Sequence, residues 1–209
     1  MGRRYVPGDM IRASDFKEMF AQISETEKAN VVVWVQRLID ENPSDRLGRG
    51  TVLLYYMIHY LMSDLYVSLA IYHVRQESGE DRQLVLRQID EALVCTAKKM
   101  NDMLRVMMRL PGAFRLARAM IPKTFVKANG HGFTVEPVDL GKDGFGFDVT
   151  ECPYSRLYAQ YGVPELGPVL CHFDDVESGN LPGIDFVRTG TLCRGCDRCD
   201  FRYLRKTKA

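Results

Sequence analysis

The chain has 209 residues, and 46% of them are hydrophobic, which is enough to bury a substantial core. We expect one domain, alone or with a helical extension. Its 28 basic and 27 acidic residues leave a formal net charge of +1, so the charge balance gives no broad reason to expect binding to nucleic acid or to an anionic membrane.

Two features of the sequence indicate the cellular compartment: the N-terminal residues and the cysteines. No apolar run follows the paired arginines near the N-terminus, so we expect neither a secretory nor a twin-arginine signal. We therefore predict a cytoplasmic protein. Cytosolic thiols are normally reduced, and the six cysteines then favour metal binding or catalysis over a disulfide framework.

Residues 1–122 have the patterns of a helical region. Ser24, followed three residues later by Glu27, predicts a capping box at the start of a helix. A segment containing proline and glycines, residues 43–50, then breaks the helical pattern. We expect a second, longer helix to follow this break.

The long apolar stretch at residues 51–75 resembles a membrane span, but Asp64 interrupts it. The uncharged run before Asp64 is shorter than the roughly 18–20 residues that a bilayer needs. We predict a buried helix in which Tyr60, Asp64 and Ser68 stack at four-residue intervals and bond to one another. The alternative is a functional polar set made of His59, Asp64 and His73.

The next predicted helix carries apolar side chains at steps of three and four residues, which is typical of a single buried face. We expect its methionines to fill core space and Cys95 to be an inert buried cysteine. The face consists of Leu86, Ile89, Leu93, Ala97, Met100, Leu104 and Met107.

Residues 123–209 are predicted to form a cysteine-rich α+β region. The turn GKDG joins two predicted strands, and short helices are expected to begin at Pro153 and to surround Cys171. The fold class is therefore α+β, a helical N-terminal half packed on a small, mainly antiparallel sheet as one compact unit. The predicted strands are residues 134–140, 144–152, 184–192 and 199–206.

Three cysteines follow one another at a spacing of three residues, Cys193, Cys196 and Cys199. Two residues between thiolates allow a loop to curl around one centre, either zinc or an iron–sulfur cluster. Cys152 or Cys171 could supply a fourth ligand. The alternative is a loop of reduced thiols without a metal.

Cys152 and Cys171 are candidate nucleophiles for different reasons. Cys152 is predicted at a helix N-terminus, where the helix dipole and unpaired N–H groups lower a thiol pKa, although it could also be a buried structural thiol. Cys171 shares a predicted helix face with Asp174 and Asp175, whereas the adjacent His172 does not. Because a nearby carboxylate raises a thiol pKa, the acids are better suited to binding a cationic group or moving protons.

The segments ECPY, PEL…LCHFDD and VRTGTL…G…CDFRY together resemble the L-2-amino-thiazoline-4-carboxylic acid hydrolase family over residues 145–203. Members of that family open a cyclic amidine-type ring by hydrolysis. The resemblance does not extend to Cys193 and Cys196, which look like additional thiols. It carries over to Cys152, Cys171, Asp174, Arg188, Cys199 and Asp200.

The leading hypothesis is a hydrolase that opens or deaminates a small cyclic amidine bearing a carboxylate. Arg188 would anchor that carboxylate through paired hydrogen bonds, and Asp174 would hold the amidine nitrogen or move a proton. The predicted catalytic residues are Cys171, Asp174 and Cys152, and the predicted substrate-binding residues are Arg188, Asp200 and His172.

Two other hypotheses stay open. One is a metal-cluster protein, an enzyme or a sensor, with an iron–sulfur cluster or zinc held by Cys193, Cys196 and Cys199. The other is a non-catalytic ligand-binding or partner module in which the apolar helix at residues 52–72 associates with a second copy. The predicted partner is a small molecule, and neither nucleic acid nor a membrane.

Overall fold

The computed structural model describes residues 5–42 and 52–206. Within these ranges it contains eight α-helices, most of them in the N-terminal half, and a four-stranded antiparallel sheet in the C-terminal half, which confirms the predicted α+β class. The chain divides into two compact units, Met1–Leu93 and Val94–Ala209. The predicted break at residues 43–50 lies outside the described residues.

The first unit is helical. Its helices are α1 (Pro7–Ala13), α2 (Lys17–Gln22), α3 (Glu25–Glu41) and α4 (Val52–Glu77). The predicted capping box is present at the start of α3. There the Glu27 backbone N–H donates to the Ser24 hydroxyl, and the Ser24 backbone N–H donates to the Glu27 carboxylate.

Helix α4 is the buried centre of this unit, as the apolar pattern predicts. Asp64 on α4 binds the chain segment that follows α1. One Asp64 oxygen accepts the backbone N–H of Asp15 at 2.8 Å, while the Tyr60 hydroxyl donates to Asp15 at 2.7 Å. Burial raises the pKa of Asp64 well above its ordinary value. Among the described residues no helix is long and apolar enough to cross a membrane.

Helix α5 (Arg82–Met108) contains the boundary between the two units. Its predicted apolar face is buried at Leu86, Ile89, Leu93 and Ala97. The prediction that the methionines and Cys95 are buried is wrong in part. Met103 and Met107 are 55% and 50% exposed, and Cys95 is exposed. The helical period therefore identified the element correctly but not the length over which its face is covered.

The second unit is built on a sheet with the strand order β1-β2-β4-β3, in which every neighbouring pair is antiparallel. All four predicted strands are present, with the GKDG segment forming a 3-10 turn before β2. The third was predicted too long, because it ends at Val187 and the chain then turns at Thr189 and Gly190, whose N–H groups are bound by Asp200. Their bounds are β1 (Thr134–Val138), β2 (Gly144–Glu151), β3 (Ile184–Val187) and β4 (Cys199–Arg205).

Aromatic pairs on β2 and β4 hold the two central strands together. Phe147 pairs with Phe201 and Phe145 pairs with Tyr203, with ring centroids 4.7 and 4.8 Å apart. Gly146 lies between these pairs, where an added Cβ would meet the carbonyl oxygen of Phe201 at 2.4 Å. Helix α6 (Ala113–Val126) packs its apolar face on the same core.

Two further helices, α7 (Pro153–Gln160) and α8 (Leu166–Ser178), connect β2 to β3. The end of α8 is held firmly within this unit. The side-chain amide of Asn101 donates to the carbonyls of Glu177 and Gly179 at 2.7 and 2.6 Å, and the Ser178 hydroxyl lies 3.0 Å from that of Tyr203. These contacts orient α8, which carries Cys171, His172 and Asp174 of the predicted site.

Candidate active site

Four cysteines that are distant in sequence come together in the second unit, and we call them the thiol cluster: Cys152, Cys171, Cys193 and Cys199. Cys152 caps the N-terminus of α7, Cys171 lies on α8, and Cys193 lies in a 3-10 turn at Leu192–Arg194. Cys199 begins β4. The four are close enough for their charges to affect one another's pKa.

Within the thiol cluster, the side chains of Cys193 and Cys171 have the largest effect on each other. The neighbouring Cys193 lowers the pKa of Cys171, against the opposing effects of desolvation and of the Asp174 charge, and Arg188 and the Thr191 hydroxyl lower it further. The neighbouring Cys171 and desolvation raise the pKa of Cys193. Cys171 is therefore the cysteine of this pair whose thiolate is favoured.

A glycine allows Cys193 to reach this position. Gly167 lies four residues before Cys171, on the same face of α8. A Cβ at position 167 would lie 2.7 Å from the Cβ of Cys193 and 2.8 Å from its sulfur, well inside van der Waals contact. Any side chain at this position would displace Cys193 from Cys171.

Thr191 is a member of the site that sequence reasoning missed. It is 2% exposed, and its hydroxyl has no hydrogen-bond partner within the part of the chain that the structure describes. The hydroxyl lies near the sulfur of Cys171 and lowers its pKa. The Thr191 carbonyl accepts the backbone N–H groups of Arg194 and Cys196 at 3.0 and 3.1 Å, which shapes the turn that carries Cys193.

Arg188, directly after β3, fastens the acidic side of α8. Its guanidinium donates to Asp174 at 2.7 Å, to Asp175 at 2.6 Å and to the carbonyl of Cys171 at 2.7 Å. It also lies 5.1 Å from the ring centroid of Phe201, and its side chain is only 2% exposed. The predicted grip of Arg188 on a substrate carboxylate would require some of these bonds to break.

Two carboxyl groups on α8 titrate near neutrality. Desolvation raises the pKa of Asp174 to about 6 despite the opposing charge of Arg188. Desolvation, together with the charge of Asp174, raises the pKa of Glu177 to about 7. Glu177 was not predicted from the sequence, although its position three residues after Asp174 on a helix was a usable signal.

The raised pKa of Glu177 predicts a particular pH dependence of stability. Because the folded-state pKa lies above the ordinary value, Glu177 contributes stability below about pH 4.5 that is lost as pH rises through about 7. Urea unfolding of the wild type and of Glu177→Gln should therefore show the variant gaining relative stability as pH rises through this window. Parallel profiles would contradict this, and Glu136→Gln, on the exposed side of β1, is the matched control.

Asp200 organises the turn after Arg188. One of its oxygens accepts the backbone N–H groups of Thr189 and Gly190 at 2.8 and 2.7 Å, and the other accepts the Thr189 hydroxyl at 2.6 Å. Partial burial acts to raise its pKa, but these hydrogen bonds outweigh that effect and the pKa is lowered. Substrate contact by Asp200, and by the half-buried His172 on α8, stays a prediction.

Cys152 has the predicted helix N-terminal position but not the expected acidity. The backbone N–H groups of Ser155 and Tyr154 act to lower its pKa, as the dipole argument requires, although the Cys152 side chain makes no capping hydrogen bond. Desolvation is the larger effect, however, and raises the pKa of Cys152 to about 12. Burial likewise raises the pKa of Cys199 to about 11, although its sulfur accepts the Leu192 N–H at 3.2 Å.

The three cysteines of the triplet have different surroundings in this structure. Cys193 packs against Gly167, the sulfur of the buried Cys199 accepts the Leu192 N–H, and Cys196 is exposed. Within residues 5–42 and 52–206 no group of three or more cysteine, histidine or acidic side chains is arranged to hold a metal ion. The predicted iron–sulfur cluster or zinc held by Cys193, Cys196 and Cys199 therefore finds no support in this geometry.

Helix α8 therefore carries a thiol of lowered pKa together with two carboxyl groups whose pKa values are raised toward neutrality, which combines a nucleophile with groups that can move protons. The chain belongs to the L-2-amino-thiazoline-4-carboxylic acid hydrolase family, whose model matches residues 59–203. This confirms the family resemblance, and the family name describes a hydrolase. No curated protein and no solved structure matches the chain.

Proposed function

We propose that the protein is a hydrolase that opens the ring of a small cyclic amidine bearing a carboxylate, with Cys171 as the nucleophile. The observation that carries this proposal is the position of Cys171 on α8, where Cys193 packs one turn away and Arg188 joins the Cys171 carbonyl to Asp174, and where the pKa of Cys171 is lowered. A thiolate is the reactive form of cysteine. The family name describes a substrate of this kind.

The charges around Cys171 suit a cationic electrophile. Asp174, Asp175 and Glu177 lie within one turn of α8, and Arg188 bonds to the first two. The carboxylates therefore outnumber the cation that binds them, and a protonated amidine would be attracted to this face. Arg194, exposed on the turn that carries Cys193, makes no ion pair with the described residues and is available to a substrate carboxylate.

In the first half of the reaction the Cys171 thiolate adds to the amidine carbon, and the positive charge of the amidinium is neutralised. The ring carbon–sulfur bond then breaks. The departing sulfur takes a proton from Asp174, and the carbon remains bound to Cys171 as a cationic isothiouronium group. Asp174 is suited to this step because its pKa of about 6 keeps part of it protonated near neutrality.

In the second half, water adds to the same carbon and gives one proton to the Asp174 carboxylate. The bond to Cys171 breaks, the thiolate is regenerated, and the product releases its remaining excess proton to Glu177 or to solvent. The net reaction adds one water to the ring and yields a ureido acid with a free thiol. If ammonia left the first adduct in place of the ring sulfur, the outcome would be deamination.

This function is tested by incubating the purified protein with 2-amino-thiazoline-4-carboxylate. A new thiol without ammonia is expected, followed with a thiol reagent and an ammonia assay. Thiazolidine-4-carboxylate, which has the ring and the carboxylate but no amidine, is the matched control and should not react. No turnover of the thiazoline or of its oxazoline analogue would overturn the proposal.

A further inference from the structure

Cys171 and Cys193 form a thiol pair held across two elements. The Cβ and the sulfur of Cys193 pack against Gly167, one helical turn before Cys171 and on the same face of α8. The two cysteines are therefore neighbours in the fold although 21 residues separate them in the sequence. Thiols placed on two packed elements in this way need only a small movement for their sulfurs to reach bonding distance.

The other thiols of the chain are less suited to pairing with Cys171. Cys199 is 6% exposed, and its sulfur already accepts the Leu192 N–H. Cys152 lies at the start of α7, where burial raises its pKa to about 12. Cys196 is exposed, and its sulfur lies beside Gly190. Cys171 and Cys193 are both half-buried, so a small oxidant can reach them.

We propose that Cys171 and Cys193 form a redox modification site, in which hydrogen peroxide converts the pair into a disulfide that a thiol reductant reverses. The formation of the disulfide follows from the geometry of the pair alone. Its effect on activity, reversible inactivation, rests on the proposed function, because the disulfide would occupy the nucleophile. The 3-10 turn that carries Cys193 ends at Gly195, whose φ of 83° supports the sharp change of direction there.

The reaction is a two-electron oxidation of the pair. The Cys171 thiolate attacks one peroxide oxygen, so that a sulfur–oxygen bond forms, the oxygen–oxygen bond breaks and hydroxide leaves to become water. Cys193 then loses its proton and attacks the sulfur of Cys171. The sulfur–sulfur bond forms while the sulfur–oxygen bond breaks, and a second water leaves. Two thiols are oxidised and one peroxide is reduced to two waters.

The test treats the reduced, full-length protein with one equivalent of hydrogen peroxide, blocks the remaining thiols by alkylation and maps the peptides by mass spectrometry. We expect a linked peptide pair containing Cys171 and Cys193, and alkylation of two fewer thiols than in the reduced protein. Dithiothreitol should restore both sites. This readout needs no substrate, so it stands or falls separately from the hydrolase assay.

Three variants sharpen the result. In Cys193→Ser, Cys171 should stop at the sulfenic acid with one equivalent of peroxide, and a second equivalent should oxidise it to the sulfinic acid, which dithiothreitol does not reverse. Cys196→Ser, in the same loop, should form the disulfide as the wild type does. Gly167→Ala keeps both thiols but displaces Cys193, and should slow disulfide formation at least about tenfold. It also provides the test if Cys193→Ser fails to fold.

Several outcomes would overturn the proposal. A wild-type protein in which Cys171 is oxidised without a disulfide would do so. A disulfide from Cys171 to Cys152 or Cys199 would show that another thiol resolves the oxidised form. Unchanged disulfide formation in Gly167→Ala would show that the contact between α8 and the turn is not what brings the sulfurs together.

Discussion

Replacing Cys171 with serine is expected to lower kcat/KM for the cyclic amidine by at least about 10³-fold. A serine hydroxyl has far too high a pKa to supply the anion that Cys193, Thr191 and Arg188 stabilise at this position. The fold should be kept, because serine is similar in size and Cys171 is only half-buried. Steady-state kinetics, together with circular dichroism and thermal unfolding, would measure both parts of the result.

The matched control is Cys196→Ser, because Cys196 lies in the same cysteine loop but is exposed and outside the thiol cluster. Its activity should match that of the wild type. Full activity in Cys171→Ser would remove Cys171 from the mechanism. The nucleophile would then be sought at Cys152, which has the helix N-terminal position but a pKa raised to about 12.

Replacing Arg188 with methionine is expected to lower the free energy of unfolding by about 3 kcal/mol. The side chain of Arg188 is 2% exposed and binds two carboxylates and a carbonyl, so its removal leaves Asp174 and Asp175 without their cation. Because these carboxylates are 37% and 40% exposed, water offsets part of the loss, and the low end of the range for buried ion pairs applies. Urea unfolding would measure the change.

Two comparisons separate this effect from a general loss of charge. Arg198→Met removes the ion pair between Asp148 and Arg198, whose side chain is 48% exposed. This change should lower the free energy of unfolding much less, because Asp148 keeps its ion pair with Arg202 at 2.6 Å. The Arg188→Met change should also cost less in an Asp174→Asn, Asp175→Asn background. An equal cost in both backgrounds would show that Arg188 acts through packing on Phe201 instead.

Local patterns predicted most of the fold. Ser24 and Glu27 identify the start of α3 because a capping box needs only neighbours along the chain. The alternation around the GKDG turn identifies β1 and β2 for the same reason. Exposure of Met103 and Met107 on α5 was missed because burial depends on what packs against a face, and that is not a local property.

The grouping of the cysteines could not be predicted from spacing. Cys193, Cys196 and Cys199 look like one set along the chain, but the turn at Leu192–Arg194 and the start of β4 direct them toward different surroundings. Cys152 and Cys171 join two of them through contacts between distant elements. The missed Thr191 and Glu177 have the same cause, since their effect on the site depends on desolvation and on neighbours brought in by the fold.

Two cysteines on one short segment differ in burial, and comparing how fast they are labelled would measure local opening of the structure. Cys196 is exposed, whereas Cys199, three residues later, is 6% exposed at the start of β4. A thiol-labelling reagent should modify Cys196 at the rate of a free thiol but reach Cys199 only when β4 separates from its neighbours. The ratio of the two labelling rates therefore reports the equilibrium for local opening at the start of β4, without any added probe.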